Sequence, residues 1–138
     1  MLDPSDCGPA VISMSQDVQG EAYEYPEIFF EETIHEIRTI HPDPKQINIA
    51  AENLKNSKQP IIISGGGVLY SEAEEEISSF AKKHNIPVIA TVMGIGCMQK
   101  DDPFYIGATG GLGEGSANNL SRDTDLALAI GTKLADFT

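Results

Sequence analysis

Pro60-Ile-Ile-Ile-Ser64-Gly65-Gly66-Gly67 starts with a proline, runs through three isoleucines and closes on three glycines. An apolar run without polar alternation is the pattern of a strand buried on both faces, as in a parallel sheet covered by helices. The glycines allow a tight exit turn and let another group approach bare backbone. In open α/β sheets, ligands bind beyond the carboxyl ends of the strands. The stretch therefore sets the fold class, α/β with a parallel sheet and helices on both faces. It also marks the edge where a ligand would sit.

Two further stretches repeat the pattern. Pro87-Val-Ile-Ala-Thr-Val92 exits through Gly94-Ile95-Gly96, and Asp125-Leu-Ala-Leu-Ala-Ile130 exits through Gly131-Thr132. The spacing predicts strands over 61–64, 88–92 and 126–130 as parallel neighbours. Between the first two lies a predicted helix over 71–84. Ser71 and Glu74 form a capping box, and Ala73, Ile77, Phe80 and Ala81 make its buried stripe. Lys82, Lys83 and His84 suit its negative end, and Asn85 its stop. Strand, helix and strand make a βαβ unit. A helix over 44–56 precedes the first strand, with Asp43 as cap, Pro44 in the first turn, and Ile47, Ala50, Ala51 and Leu54 on one face. Lys100-Asp101-Asp102-Pro103 reads as a surface turn, Gly107 to Gly115 as a glycine-rich segment, and 116–121 as a short helix.

Upstream the pattern is weaker. Gly8 to Met14 reads as a short strand and Ser15 to Gly20 as a polar turn. Residues 21–42 are a connector. Ile28-Phe29-Phe30 could make one helical turn, and Ile34, Ile37 and Ile40 fit a poor helix or an extended crossing. His41-Pro42-Asp43-Pro44 is a rigid spacer and the candidate domain boundary. The expected organisation is 1–20 as the end of a preceding domain, 21–42 as connector, and 43–138 as an α/β domain incomplete at its C-terminus. Val11-Ile12-Ser13 is expected to stay out of the main sheet.

The formal net charge is -12. That argues against nucleic acid and against anionic membrane, which both need a Lys/Arg footprint. No apolar run approaches a membrane span, and Asp3 and Asp6 stand where a signal peptide would be basic and then apolar. The expected location is cytoplasmic, and Cys7 and Cys97 read as two thiols, with a disulfide the lesser alternative.

The glycine exits carry the site reading. Gly65, Gly66, Gly67, Gly94, Gly96 and Gly131 fall at one sheet edge, with Gly113 in the glycine-rich segment and Asp136 just beyond the last strand. Together they could line a cleft for a phosphate-bearing ligand. The alternative is that each glycine only makes a turn, and the residues leave both readings open. A nicotinamide dinucleotide fits poorly, because the third glycine of its fingerprint would fall at Tyr70 and no acid ends the second strand. There is no P-loop. His35, His41 and His84 lack metal-ligand spacing, and Ser64 lacks a nucleophile elbow. Asp101-Asp102 reads as a solvated turn, Glu72 and Glu74 to Glu76 as a solvated helix face, and Tyr23 and Tyr25 as packing for the connector. No acid–base pair stands out.

The order of these stretches resembles the middle domain of thiamine-diphosphate-dependent enzymes of the acetolactate synthase and pyruvate oxidase type. The likeness rests on Pro60 to Leu69, Ala81 to Val88, Thr91 to Gly96, Asp102-Pro103 with Gly107, and Asp125 to Phe137. Cys7 to Ser13, Gln16 to Phe30, Gly65 to Ala73 and Gly131 to Thr138 look like the branch that opens a cyclic diketone in bacterial myo-inositol breakdown.

The resemblance implies that residues 1–20 end a pyrimidine-binding domain and 43–138 form part of a Rossmann-like middle domain. It implies an intact C–C hydrolase acting on a small-molecule substrate, using thiamine diphosphate and Mg²⁺, as a homodimer or homotetramer. The alternatives are an acetolactate-synthase-like carboligase or decarboxylase, and a non-catalytic nucleotide-binding module. The family's activating glutamate and its Gly-Asp-Gly…Asn metal motif match nothing here, so no catalytic or metal residue carries over. This chain alone is expected to be inactive. The acetolactate branch holds FAD with loops that match Gly65–Gly67, Gly110–Gly115 and Gly131–Asp136. The chain departs from that branch at Ala135-Asp136-Phe137, where the branch has Asp-Asp-Arg, and at Gly110-Gly111 and Glu114.

Overall fold

The computed structural model describes residues 8–35, 41–135 and 138. Its contacts divide the chain into two units, Met1–His41 and Pro42–Thr138.

The first unit has one helical turn, α1 (Gln16–Gln19), and a 3-10 turn, Glu27–Phe30. No strand forms over 8–14, and α1 falls inside the stretch read as a turn. The reason is physical: a strand gains its hydrogen bonds only from a neighbour, and Val11 and Ile12 are exposed without one. Val11 to Ser13 contribute nothing to the sheet, as expected. Around Ile28 the turn forms as predicted. It sets Tyr25 against Phe29 (ring centroids 4.8 Å apart) and Phe29 against Phe30 (5.3 Å). Ile34 is exposed, while Cys7, Ile37 and Ile40 lie outside the described residues.

The second unit is a four-stranded sheet with every pairing parallel: β1 (Pro60–Ser64), β2 (Val88–Ala90), β3 (Tyr105–Ala108) and β4 (Leu126–Ile130), in the order β3-β2-β1-β4. The three strands predicted as neighbours are neighbours, in register Ile62↔Val88 and Ile62↔Leu128. β3 is an addition. It has only four residues, one of them Gly107 at φ +124°, and a register shift against β2 between Val88 and Ile89. No apolar run announces such a strand. Val92, expected in β2, instead begins a 3-10 turn, Val92–Gly94.

Alternation along β1 separates the two cores. Ile62 joins Val88 and Ala90 on one face, under Val68 of α3 (Gly66–Tyr70) and Ile77 and Ala81 of α4 (Glu74–His84). Ile61 and Ile89 face the other way, toward Ala117 and Leu120 of α5 (Gly115–Asp123). Burying one fully enclosed isoleucine is worth about 1.5–3 kcal/mol, so Ile61, Ile62 and Ile89 dominate the sheet's stability.

The helix preceding the sheet, α2 (Pro44–Asn56), starts as predicted: the Asp43 carboxylate accepts from the Lys45 amide at 2.8 Å, with Pro44 in the first turn. Its expected buried stripe does not form. Only Leu54 packs on the core, and Ile47 is 51% exposed. The capping box at Ser71 also fails. Gly66–Tyr70 is already helical, so Ser71 closes α3 and Ala73 becomes the cap of α4 without a side-chain bond. At the other end Asn85 is left-handed (φ 55°), the stop that was predicted.

Candidate functional site

The carboxyl ends of β1, β2 and β4 bring five of the candidate glycines together. The Gly65 amide donates to the Ile130 carbonyl (2.9 Å) and the Gly67 amide to the Gly131 carbonyl (2.8 Å), so the β1 exit lies directly on the β4 exit. On the other side the Thr91 amide donates to the Ser64 carbonyl at 2.8 Å. The β2 exit then folds through two turns, Gly94 amide to Thr91 carbonyl (2.8 Å) and Cys97 amide to Gly94 carbonyl (3.0 Å).

Backbone meets backbone in this joint. A Cβ on Gly67 would stand 2.7 Å from the Gly131 Cα, and one on Gly131, itself at φ +58°, 2.7 Å from the Val68 nitrogen. A Cβ on Gly65 would run into Thr132, and one on Gly94 into the Ser64 carbonyl. Gly66 lies against Met93, with 3.1 Å from its Cβ position to the Met93 carbonyl. Gly96 is one turn removed, at φ +105° in open space near Leu69.

Gly113 belongs to a separate loop, between β3 and α5. There the Glu114 amide donates to the Ala108 carbonyl (2.7 Å) and the Gly113 amide to the Gly110 carbonyl (2.9 Å). Asn118 clamps this loop: its Oδ1 accepts from Thr109 Oγ1 and the Gly110 amide, both at 2.9 Å, and its Nδ2 donates to the Gly110 carbonyl at 3.1 Å. The sequence reading passed over Asn118; an asparagine in the first turn of a helix after a glycine-rich loop is the signal that would have found it. Asp136 lies outside the described residues.

Side chains around this edge are mostly apolar. Met93, Ile95, Leu112 and Leu134 are all more than half exposed. Glu114 brings a carboxylate against the Gly107 backbone. Just beneath the joint Ser64 Oγ is fully buried with no partner at hydrogen-bonding geometry. Beside it lies Cys97, a buried free thiol that burial pushes up, with Ser64 opposing in part. Burial also raises the Tyr105 phenol, with Cys97 and Glu114 adding to the effect.

At the opposite edge Asp102 is no solvated turn. Its side chain is 7% exposed; it takes the Lys82 ammonium at 2.8 Å, the Phe104 amide at 3.0 Å and Ser78 Oγ at 3.1 Å. A shallow open hollow of about 250 Å³ also lies there, among Lys58, Asn85, Leu120 and Thr124. It is far from the glycine exits, and its openness gives no reason to assign it a ligand.

Among the described residues no three His, Cys, Asp or Glu side chains stand together as a metal site, and no helix is long and apolar enough to cross a membrane.

The thiamine pyrophosphate enzyme central-domain model matches residues 47–138. Similarity to curated proteins extends over the whole chain. The 3D-(3,5/4)-trihydroxycyclohexane-1,2-dione hydrolase of Clostridium perfringens (strain 13 / Type A) is 41% identical over 138 residues, 100% of this chain and 22% of the relative. Proteins of the same name from Clostridium tetani and Bacillus subtilis are each 40% identical, over 100% and 99% of this chain. The chain spans about a fifth of the length of these relatives (21% and 22%).

Proposed function

Because this chain belongs to the thiamine pyrophosphate enzymes, through their central domain, we propose that it is the central part of a thiamine-diphosphate-dependent hydrolase. That hydrolase opens the ring of trihydroxycyclohexane-dione in myo-inositol breakdown. The observation that carries the reading is the extent of the likeness. Identity of 41% runs from end to end, including the residues before 47 that the family model does not cover. A likeness confined to a shared domain would stop at that domain.

In this reading thiamine diphosphate supplies the carbon nucleophile that adds to a carbonyl, and the protein supplies position and electrostatics. No step is assigned to residues of this chain.

The test is a product assay on the complete polypeptide that contains this chain, supplied with thiamine diphosphate and Mg²⁺. Ring-opening of 3D-(3,5/4)-trihydroxycyclohexane-1,2-dione is the expected result. Acetolactate formed from pyruvate, with no ring-opening, would move the chain to the carboligase branch. Loss of both activities in a soluble, folded protein would favour a non-catalytic module. The 138-residue chain alone is expected to give no turnover and no tight thiamine diphosphate binding by calorimetry; micromolar binding would place the cofactor site in this chain.

A further inference from the structure

We infer that the glycine-lined edge of this domain is a joint between loops and does not bind a nucleotide diphosphate. Glycines that cradle phosphate leave their amides free and their Cα face open to the ligand. At Gly65, Gly67, Gly94 and Gly113 both resources are spent inside the protein. The amides of Gly65, Gly67, Gly94 and Gly113 all donate to backbone carbonyls at 2.8–2.9 Å, and the Gly110 amide is taken by Asn118. The space that a Cβ would fill at Gly65, Gly67, Gly94 and Gly131 is filled by neighbouring loop backbone or by Thr132. Gly113 is filled likewise, with 2.5 Å from its Cβ position to the Thr109 carbonyl carbon.

Charge points the same way. α4, which crosses from the end of β1 to the start of β2, opens on Glu74, Glu75 and Glu76, and α5 opens after the glycine-rich loop. α5 has Glu114 as its cap residue, with the carboxylate over Gly107. A diphosphate approaching there would meet a negative charge. Of the side chains exposed on the neighbouring loops, Met93, Ile95, Leu112 and Leu134 are apolar, and Lys133 after β4 is a lone cation on an exposed stem. Gly65, Gly67, Gly94 and Gly131 therefore have a structural cause: three strand exits pass closer together than any side chain allows.

Two measurements test this, and neither depends on the ring-opening assay. In the first, FAD and ADP are titrated into the chain and into the complete polypeptide, by calorimetry and by flavin fluorescence. No saturable binding up to about 1 mM is expected, and the complete polypeptide should purify without flavin absorbance. Micromolar binding of either nucleotide overturns the inference. In the second, Gly67→Ala and Gly131→Ala are melted beside Gly111→Ala and Gly115→Ala, whose added Cβ would meet nothing within 4 Å. The first pair should melt well below the parent or fail to fold, and the second pair should match it. Parent-like melting of Gly67→Ala and Gly131→Ala would show the joint to be open, and would also overturn the inference.

Discussion

At the N-terminal edge of the sheet, loops are tied by side chains; at the C-terminal edge the loops after β1, β2 and β4 are tied by bare backbone. Asp125, just before β4, takes the Ser57 hydroxyl and the Lys58 (2.7 Å) and Gln59 (2.9 Å) amides. Thr124 Oγ1 donates to the Gln59 carbonyl at 2.6 Å. Asp102 does the same work ahead of β3. Across the sheet, the loops after β1, β2 and β4 meet through glycine. The lesson concerns tolerance. A carboxylate that loses a partner leaves room for water, whereas a glycine joint has no slack for even one methyl group.

The largest expected effect follows at the glycine edge. Gly131→Ala adds both an unfavourable positive φ and a clash with Val68, so a loss on the order of 3 kcal/mol or more is expected in chemical denaturation. A loss below about 1 kcal/mol would mean that the exits move apart easily, and the contrast between the edges would collapse.

Next comes Asp102→Asn, which keeps an acceptor for the Phe104 amide but drops the charge that pairs with Lys82. Lys82 is half exposed, so about 1 kcal/mol is expected to be lost. Both carboxyls at this edge are held below their ordinary value of 3.8, Asp102 first by Lys82 and Asp125 first by Ser57. Groups depressed in this way favour the fold above the unfolded value, and that contribution disappears as pH falls through the folded value. Stability should thus fall off below about pH 4, and less steeply in Asp102→Asn. A parallel acid limb in the two proteins would count against the assignment.

Ser64→Ala has the opposite sign. It removes a buried hydroxyl that has no partner, so stability should stay level or rise by up to about 1 kcal/mol. A clear loss would mean that Ser64 and Cys97 share a bond worth keeping. The smallest effect belongs to Gly111→Ala, expected within about 0.5 kcal/mol of the parent, since its Cβ would point into open space.

What the sequence made legible follows from this division. The three long apolar runs gave β1, β2 and β4 because a doubly covered strand has few other ways to be written. β3 was hidden because Tyr105-Ile-Gly-Ala108 is short, bulged and interrupted by glycine. Ser71 misled because a five-residue helix starting on glycine, α3, has no periodicity to reveal it. The exposed stripe of α2 shows that an amphipathic pattern states which face is apolar without naming what lies against it. The glycines had the same ambiguity. Their place at one edge was legible, but a glycine records only that something comes close, and the same letter serves a ligand and a loop.

The register of β1 has a kinetic consequence. β2 follows β1 after one short helical crossover, while the bonds that seat β4 beside β1 span 66 to 68 residues of chain. Closing the longer loop costs more chain entropy and must await the more local pairing. The central strand should therefore acquire its neighbours one at a time. The Ile62 amide, bonded to the Pro87 carbonyl, reports the first pairing; the Gly65 amide, bonded to the Ile130 carbonyl, reports the second. Pulse-labelled refolding should protect Ile62 before Gly65, with simultaneous protection indicating a single concerted collapse. Until β4 arrives the end of β1 is a free terminus with three mobile glycines, so the part of the molecule least tolerant of change is also the last to take shape.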